Sequence, residues 1–284
     1  MKVTGVLPPL FLPLCRRLWP GRLAGLSMTL LRATALEAAI LAGHLLLYPT
    51  GLIQERRSAA LPDGDGVARL PVHPGPPVVL LHGFIDNRSV FVLLRRALAQ
   101  HGNQRVESLN YSPLTCDIRT AAELLGRHIE EIRERTGSAQ VDIVGHSLGG
   151  LIARYYVQCL GGDLRVRTLV TLGTPHSGTR VAPLADAHPI VRQMRPGSAV
   201  IEELARPAPG CRTRFVSFWS DLDSLMDPLE SACLEHPDLD ARNVRVTGIG
   251  HLALPVHPAV AAGIREALDD PRPGNRSADG LTVA

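Results

Sequence analysis

The chain has 284 residues, 45% of them hydrophobic, which suits one full-sized domain plus an extension better than two equal domains. Its net charge is +3, and arginines and acids are interspersed, as in "HIEEIRERTG", so no basic stripe supports nucleic-acid binding. Cys15, Cys116, Cys159, Cys211 and Cys233 are widely spaced with no C-x-x-C pair, which argues against a metal site.

The N-terminal stretch "VLPPLFLPL" is apolar but broken by prolines, and Arg16, Arg17 and Arg22 follow it. Ala33 to Ile53, "ATALEAAILAGHLLLYPTGLI", reads as a helix ending near Pro49. Its apolar run carries Glu37 and His44 and is shorter than the roughly 20 clean residues of a membrane span. Three readings compete: an export signal or signal anchor, an interfacial amphipathic helix, and a helix packed on the domain's own surface. Arginines ahead of the apolar run favour a membrane-associated or exported protein over a cytoplasmic one. Glu37 and His44 are seven apart and share one face of a 3.6-residue helix, a stripe that a cleaved signal would not need. Residues 1–57 are therefore expected to stay on the protein as a membrane-associated segment.

Residues 58–76, rich in Pro, Gly and Asp, read as a linker. Residues 77–269 then alternate apolar strands with amphipathic helices, which predicts a doubly wound, mostly parallel α/β sheet. The strands are "PVVLLHG", "QRVESLNYS", "QVDIVG", "VRTLVTLGTP", "TRFVSFWS" and "NVRVTGIG". Gly102 and Gly137 mark the stops of the first two helices, and "HPAVAAGIREALDD" closes the domain. Residues 270–284 read as a disordered tail. Cys211 and Cys233 flank a predicted strand and would pair in an exported protein, or remain separate buried thiols.

The sharpest signal is "VDIVGHSLGG", Val141 to Gly150. A β-branched strand runs directly into the helical pattern of "LIARYYVQCL", and the reversal forces strain on the residue at its apex. Gly145 and Gly149 supply the small neighbours, giving a G-x-S-x-G elbow with Ser147 at its tip. The alternative is a glycine-rich structural turn. A serine nucleophile needs a base, and the base needs an orienting acid. Asp221, Asp223 and Asp227 follow the strand ending near Ser220, and His251 follows the last strand beside Gly250. Asp223 is favoured as the acid because it allows a short turn that Leu225 and Met226 can pack down. Asp221 is too close to the strand, and Asp227 precedes Pro228. The backbone N–H of Leu148, and that of Phe84 in the glycine loop "LLHGFIDN", are the candidate oxyanion donors. His82 is assigned a structural task in that loop.

Together "HGF", "GHSLGG", "TLGTPHSGT", "SDLD" and "GIGHLALP" resemble the small bacterial lipases and esterases of the α/β-hydrolase fold, over roughly Pro76 to Leu268. The resemblance implies Ser147 as nucleophile, Asp223 as acid, His251 as base, and Phe84 and Leu148 as oxyanion donors. It implies cleavage of lipid-like carboxylic esters with no metal and no organic cofactor. "TPHSGT" matches a structural turn. An acyltransferase with the same triad, a peptidase, or a non-catalytic binding module on this fold are the competing readings. Between Pro175 and Arg214, "VRQMRPGSAVIEELA" is expected to form a small helical cover, either mobile or fixed on the core.

Overall fold

The computed structural model describes residues 28–52, 75–84, 86–101, 105–111, 117–181 and 188–269. The linker residues 58–74, the tail 270–284, Gly102 and the thiols of Cys15 and Cys116 lie outside the described residues.

The short, β-branched apolar runs become strands buried on both faces of a parallel sheet. β1 (Val78–Leu81), β2 (Val106–Leu109), β3 (Val141–His146), β4 (Val166–Leu172), β5 (Arg214–Ser220) and β6 (Asp240–Val246) pair in the order β2-β1-β3-β4-β5-β6, every pair parallel. All of β1 and β3 is buried. β6 starts at Asp240, ahead of the expected Asn243, and stops before the "GIG" run. As an edge strand it is paired on one side only, so its half-exposed polar residues hid its start from a hydrophobicity reading.

Helices cover both faces. α1 (Met28–Leu52) precedes the sheet, and α2 (Val92–His101) follows a 3-10 turn at Arg88–Phe91 that Asn87 caps by accepting from the Ser89 N–H. α3 (Ile118–Thr136) is capped by the Asp117 carboxylate at one end and by Gly137, at φ 71°, at the other. Next come α4 (Leu148–Cys159), two short helices α5 (Pro189–Gln193) and α6 (Ala199–Leu204), and α7 (Pro258–Asp269). One core joins α3, α4, α5 and α6 to a face of the sheet; the other joins α2 and α7 to the opposite face.

The cover segment is fastened to the body. Ile190, Val200 and Leu204 are buried, and Arg154 of α4 donates to the Leu204 carbonyl at 2.8 Å. Glu203 accepts from Tyr155 at 2.7 Å and pairs with Arg119 at 2.8 Å. α5 and α6 thus pack on the core in this structure.

α1 begins at Met28 rather than Ala33 and packs on the domain core along one edge. Ala33 and His44 are buried, Glu37 and Ile40 are half-buried, and Ile40 touches the α2–α7 core. The opposite side carries exposed apolar residues, among them Leu45, Leu46 and Leu47, with Leu46 81% exposed. The polar stripe read from the sequence thus faces the domain, and the leucines face outward.

The strand order reverses direction between β1 and β3, which places a crevice at their carboxyl ends. The loops leaving these two strands carry Gly83 and Ser147. A Cβ on Gly149 would stand 2.4 Å from the Leu81 carbonyl oxygen, so only glycine lets α4 start this close to β1.

Candidate active site

Ser147 sits at φ 52°, ψ −119°, the one non-glycine residue with positive φ among the described residues. Such a conformation costs on the order of 1–3 kcal/mol and persists only where surrounding bonds determine it. Here the Ser147 N–H donates to the Leu172 carbonyl at 2.9 Å. Its own carbonyl accepts from the Gly150 N–H at 3.1 Å and the Thr174 hydroxyl at 3.0 Å. Although Ser147 precedes α4, its side chain does not cap the helix, so the hydroxyl is not committed to a backbone N–H.

The structure separates the three aspartates. The Asp223 Oδ2 accepts from His251 Nδ1–H at 2.7 Å, and its Oδ1 accepts from the Leu225 N–H at 2.9 Å. Both residues are buried, Asp223 at 1% and His251 at 2% exposure. Asp221 instead pairs with Arg245 at 3.1 Å, and Asp227 pairs with Arg180 at 2.8 Å. The Ser220 hydroxyl donates to the Ile249 carbonyl, tying the acid loop to the histidine loop. Burial alone would depress the His251 pKa, but the Asp223 carboxylate, through charge and hydrogen bond, outweighs it, and Glu37 and Asp86 add to the effect. The imidazole is held above its ordinary value.

The loop after β1 is braced as expected. His82 Nδ1–H donates to the Gly83 carbonyl at 2.9 Å, its ring stacks on Tyr111 at 4.3 Å, and the Tyr111 hydroxyl donates to the His82 carbonyl. Burial lowers the His82 pKa. A Cβ on Gly83 would lie 3.4 Å from the Ser147 Cβ, so this loop borders the elbow and brings Phe84 after it. Leu148, as the first residue of α4, has no partner for its N–H within the helix and lies at its positive end.

Two groups around this site were not singled out from the sequence. His146 lies ring-to-ring 4.7 Å from His251, and its Nε2 is 3.3 Å from the His251 carbonyl. Buried Asp86 stands 3.6 Å from His146 and 3.5 Å from His44 of α1. Burial works against the charge of Asp86, yet His146 and His44 together hold it well below the usual carboxylate range. His146 stands inside the quoted elbow and Asp86 inside "LLHGFIDN", but nothing local pairs them.

Elsewhere, a cavity of about 380 Å³ is lined by Arg154, His176, Ser231 and Cys233, among others. Arg154 donates there to the His176 carbonyl at 2.9 Å as well as to Leu204, so its cation is committed to holding "TPHSGT" and α6. The Thr179 hydroxyl donates to the Leu225 carbonyl at 2.8 Å, which fits the structural task expected of that turn. Cys159, Cys211 and Cys233 are free thiols. Among the described residues, no cluster of three or more His, Cys, Asp or Glu side chains is arranged to hold a metal ion.

A parallel sheet with a strained serine between β3 and α4 defines the α/β-hydrolase fold, and the family described by that fold matches residues 76–204. The chain also resembles lipases. It is 32% identical over 114 residues to a triacylglycerol lipase of Pseudarthrobacter phenanthrenivorans, covering 37% of this chain and 35% of that one. It is 31% identical over 134 residues to a triacylglycerol lipase of Vibrio cholerae, covering 45% and 40%. The matches thus span well under half of those lipases. In fold it is similar to Aspergillus fumigatus lipase B, with a TM-score of 0.62, 19% identity, and 71% of this chain and 54% of that one covered. Mature Bacillus licheniformis lipase BlEst2 is also similar, at 0.60 and 18%, with 72% and 96% covered.

The aspartate geometry predicts a ranking. Asp223→Asn is expected to lower kcat by about 10⁴-fold, because an amide cannot stabilise an imidazolium on His251. Asp221→Asn, which loses only a half-exposed pair with Arg245, should cost less than about tenfold. Steady-state kinetics on one ester checks both, and the reverse ranking would contradict the assignment of the acid.

Proposed function

We propose that the protein is a serine hydrolase that cleaves carboxylic esters of lipid-like substrates. The observation that carries this reading is the buried Asp223–His251 hydrogen bond of 2.7 Å, with the His251 ring 4.7 Å from that of His146, the residue just before the strained Ser147. In this reading the Ser147 hydroxyl attacks the ester carbonyl while His251 Nε2 takes its proton. The oxyanion that forms receives the Leu148 and Phe84 N–H groups. Collapse breaks the ester bond, the alcohol leaves with the proton from His251, and the acyl group stays on Ser147. Water, deprotonated by the same imidazole, then releases the acid and restores the serine. Each step uses groups of the chain itself. Support for lipid-like esters comes from the similarity to triacylglycerol lipases and from the exposed leucines of α1.

The same helix supports a place at a membrane surface. By length and composition α1 could span a bilayer. Its docked Glu37 and His44 argue for a different posture, since spanning would pull both from their partners or drag the catalytic loops into hydrocarbon. A helix lying in the interface, polar edge on the enzyme and leucines in lipid, satisfies both sides.

Purified protein should hydrolyse p-nitrophenyl esters in a series from acetate to palmitate, and Ser147→Ala should lose about 10⁴-fold or more in kcat while unfolding at the wild-type temperature. A Ser147→Ala protein that keeps most of its activity would sink the assignment. For the membrane posture, the full chain expressed in cells should sediment with membranes and be released by detergent. A chain recovered in the soluble fraction without detergent would contradict it.

A further inference from the structure

We propose that Glu37 is a positioning residue for His251, and that α1 is for this reason a working part of the active site as well as its link to lipid. The inference rests on the esterase reading only for what the base does; the geometry stands by itself. His251 lies in a stretch of turns between β6 and α7, where no regular element fixes its backbone. Two consecutive N–H groups directly after it, those of Leu252 and Ala253, donate to the Glu37 carboxylate, to Oε2 and Oε1 respectively, both at 2.9 Å. The residue directly before it is Gly250, where a Cβ would stand 2.5 Å from the Glu37 Cδ. The carboxylate therefore fills the space that a side chain at position 250 would need and grips the chain on the far side of the histidine.

A carboxylate that accepts two adjacent N–H groups acts as an anchor for a loop, and charge-assisted bonds of this kind are roughly twice as strong as neutral ones. Glu37 is half-buried, on the same helix edge as Ala33, Ile40 and His44. A second link holds the same helix to the opposite wall: the Asn87 side-chain amide donates to the Tyr48 carbonyl at 2.8 Å, and His44 faces Asp86 at 3.5 Å. α1 thus bridges the base loop and the loop that carries Phe84.

Glu37 also acts on His251 electrostatically. The groups facing that imidazole are Asp223 from the loop after β5, Asp86 from the loop after β1, His146 from the end of β3, and Glu37 from α1. Three of the four are carboxylates, which favour the protonated ring. Removing the charge of Glu37 lowers the His251 pKa, so the acid limb of the activity profile moves to lower pH even as the loop loosens. A helix needed only for stability or for membrane attachment would move neither that limb nor the turnover of a water-soluble ester.

The test uses the full chain in detergent, as wild type, Glu37→Gln and Glu37→Ala. Each is assayed on p-nitrophenyl butyrate from acid to neutral pH, with thermal unfolding recorded for each variant. The His251 imidazole is titrated by NMR on histidine-labelled protein. Glu37→Gln should lower kcat at least tenfold with KM nearly unchanged and shift both the acid limb and the NMR titration to lower pH. Glu37→Ala should lose more turnover with the same shift. If Glu37→Ala fails to fold, Glu37→Gln decides. Wild-type kcat and an unmoved His251 titration in Glu37→Gln would overturn the proposal. A wild type that cleaves no ester would remove the esterase reading, while the NMR titration would still decide whether Glu37 governs His251.

Discussion

The backbone of Ser147 is the constraint on which the other features depend. A non-glycine residue at φ 52° is held there by bonds from β4, from α4 and from the turn after β4. Those bonds exist only because glycines at 145, 149 and 150 let chain segments approach more closely than a side chain permits. A Cβ at Gly145 would fall 2.7 Å from the Gly150 backbone, and one at Gly150 would fall 2.0 Å from the Thr174 hydroxyl. The strain is thus stored in a frame that is otherwise rigid parallel sheet, and its product is a serine hydroxyl not committed to its own helix.

Around that serine the molecule arranges charge in a consistent direction. Carboxylates at Asp223, Asp86 and Glu37 all favour a protonated His251, in a setting where burial alone would keep the ring neutral. His146, by contrast, has its pKa lowered, chiefly by burial. Two histidines whose rings lie 4.7 Å apart are thus shifted in opposite directions, His146 down chiefly by burial and His251 up by its carboxylate partners.

The strained turn at Ser147 and the position of His251 just past the last strand could be read from the sequence because each depends on local turn chemistry. A strand ending in glycine, a tight reversal and a helix start are written in consecutive residues. The choice between Asp223 and Asp221 needed more, since Arg245 on β6 draws Asp221 away and that contact is tertiary. The same limit hid Glu37. Its partners lie 215 and 216 residues away, and no periodicity links them. What the helix pattern did reveal was that Glu37 and His44 share a face; whether that face met water, lipid or protein depended on the rest of the chain. The contacts of α5 and α6 with α4 were likewise hidden, because an apolar helix face does not name the surface it packs on.

We propose that the strained elbow makes Ser147 the reactive serine of this protein. The most direct measurement is covalent: the full-length protein is treated with a fluorophosphonate, digested, and mapped by mass spectrometry. A single adduct on the peptide containing Ser147, abolished by prior denaturation, is the result this structure predicts. An adduct on a different serine, or no adduct on the folded protein, would contradict it.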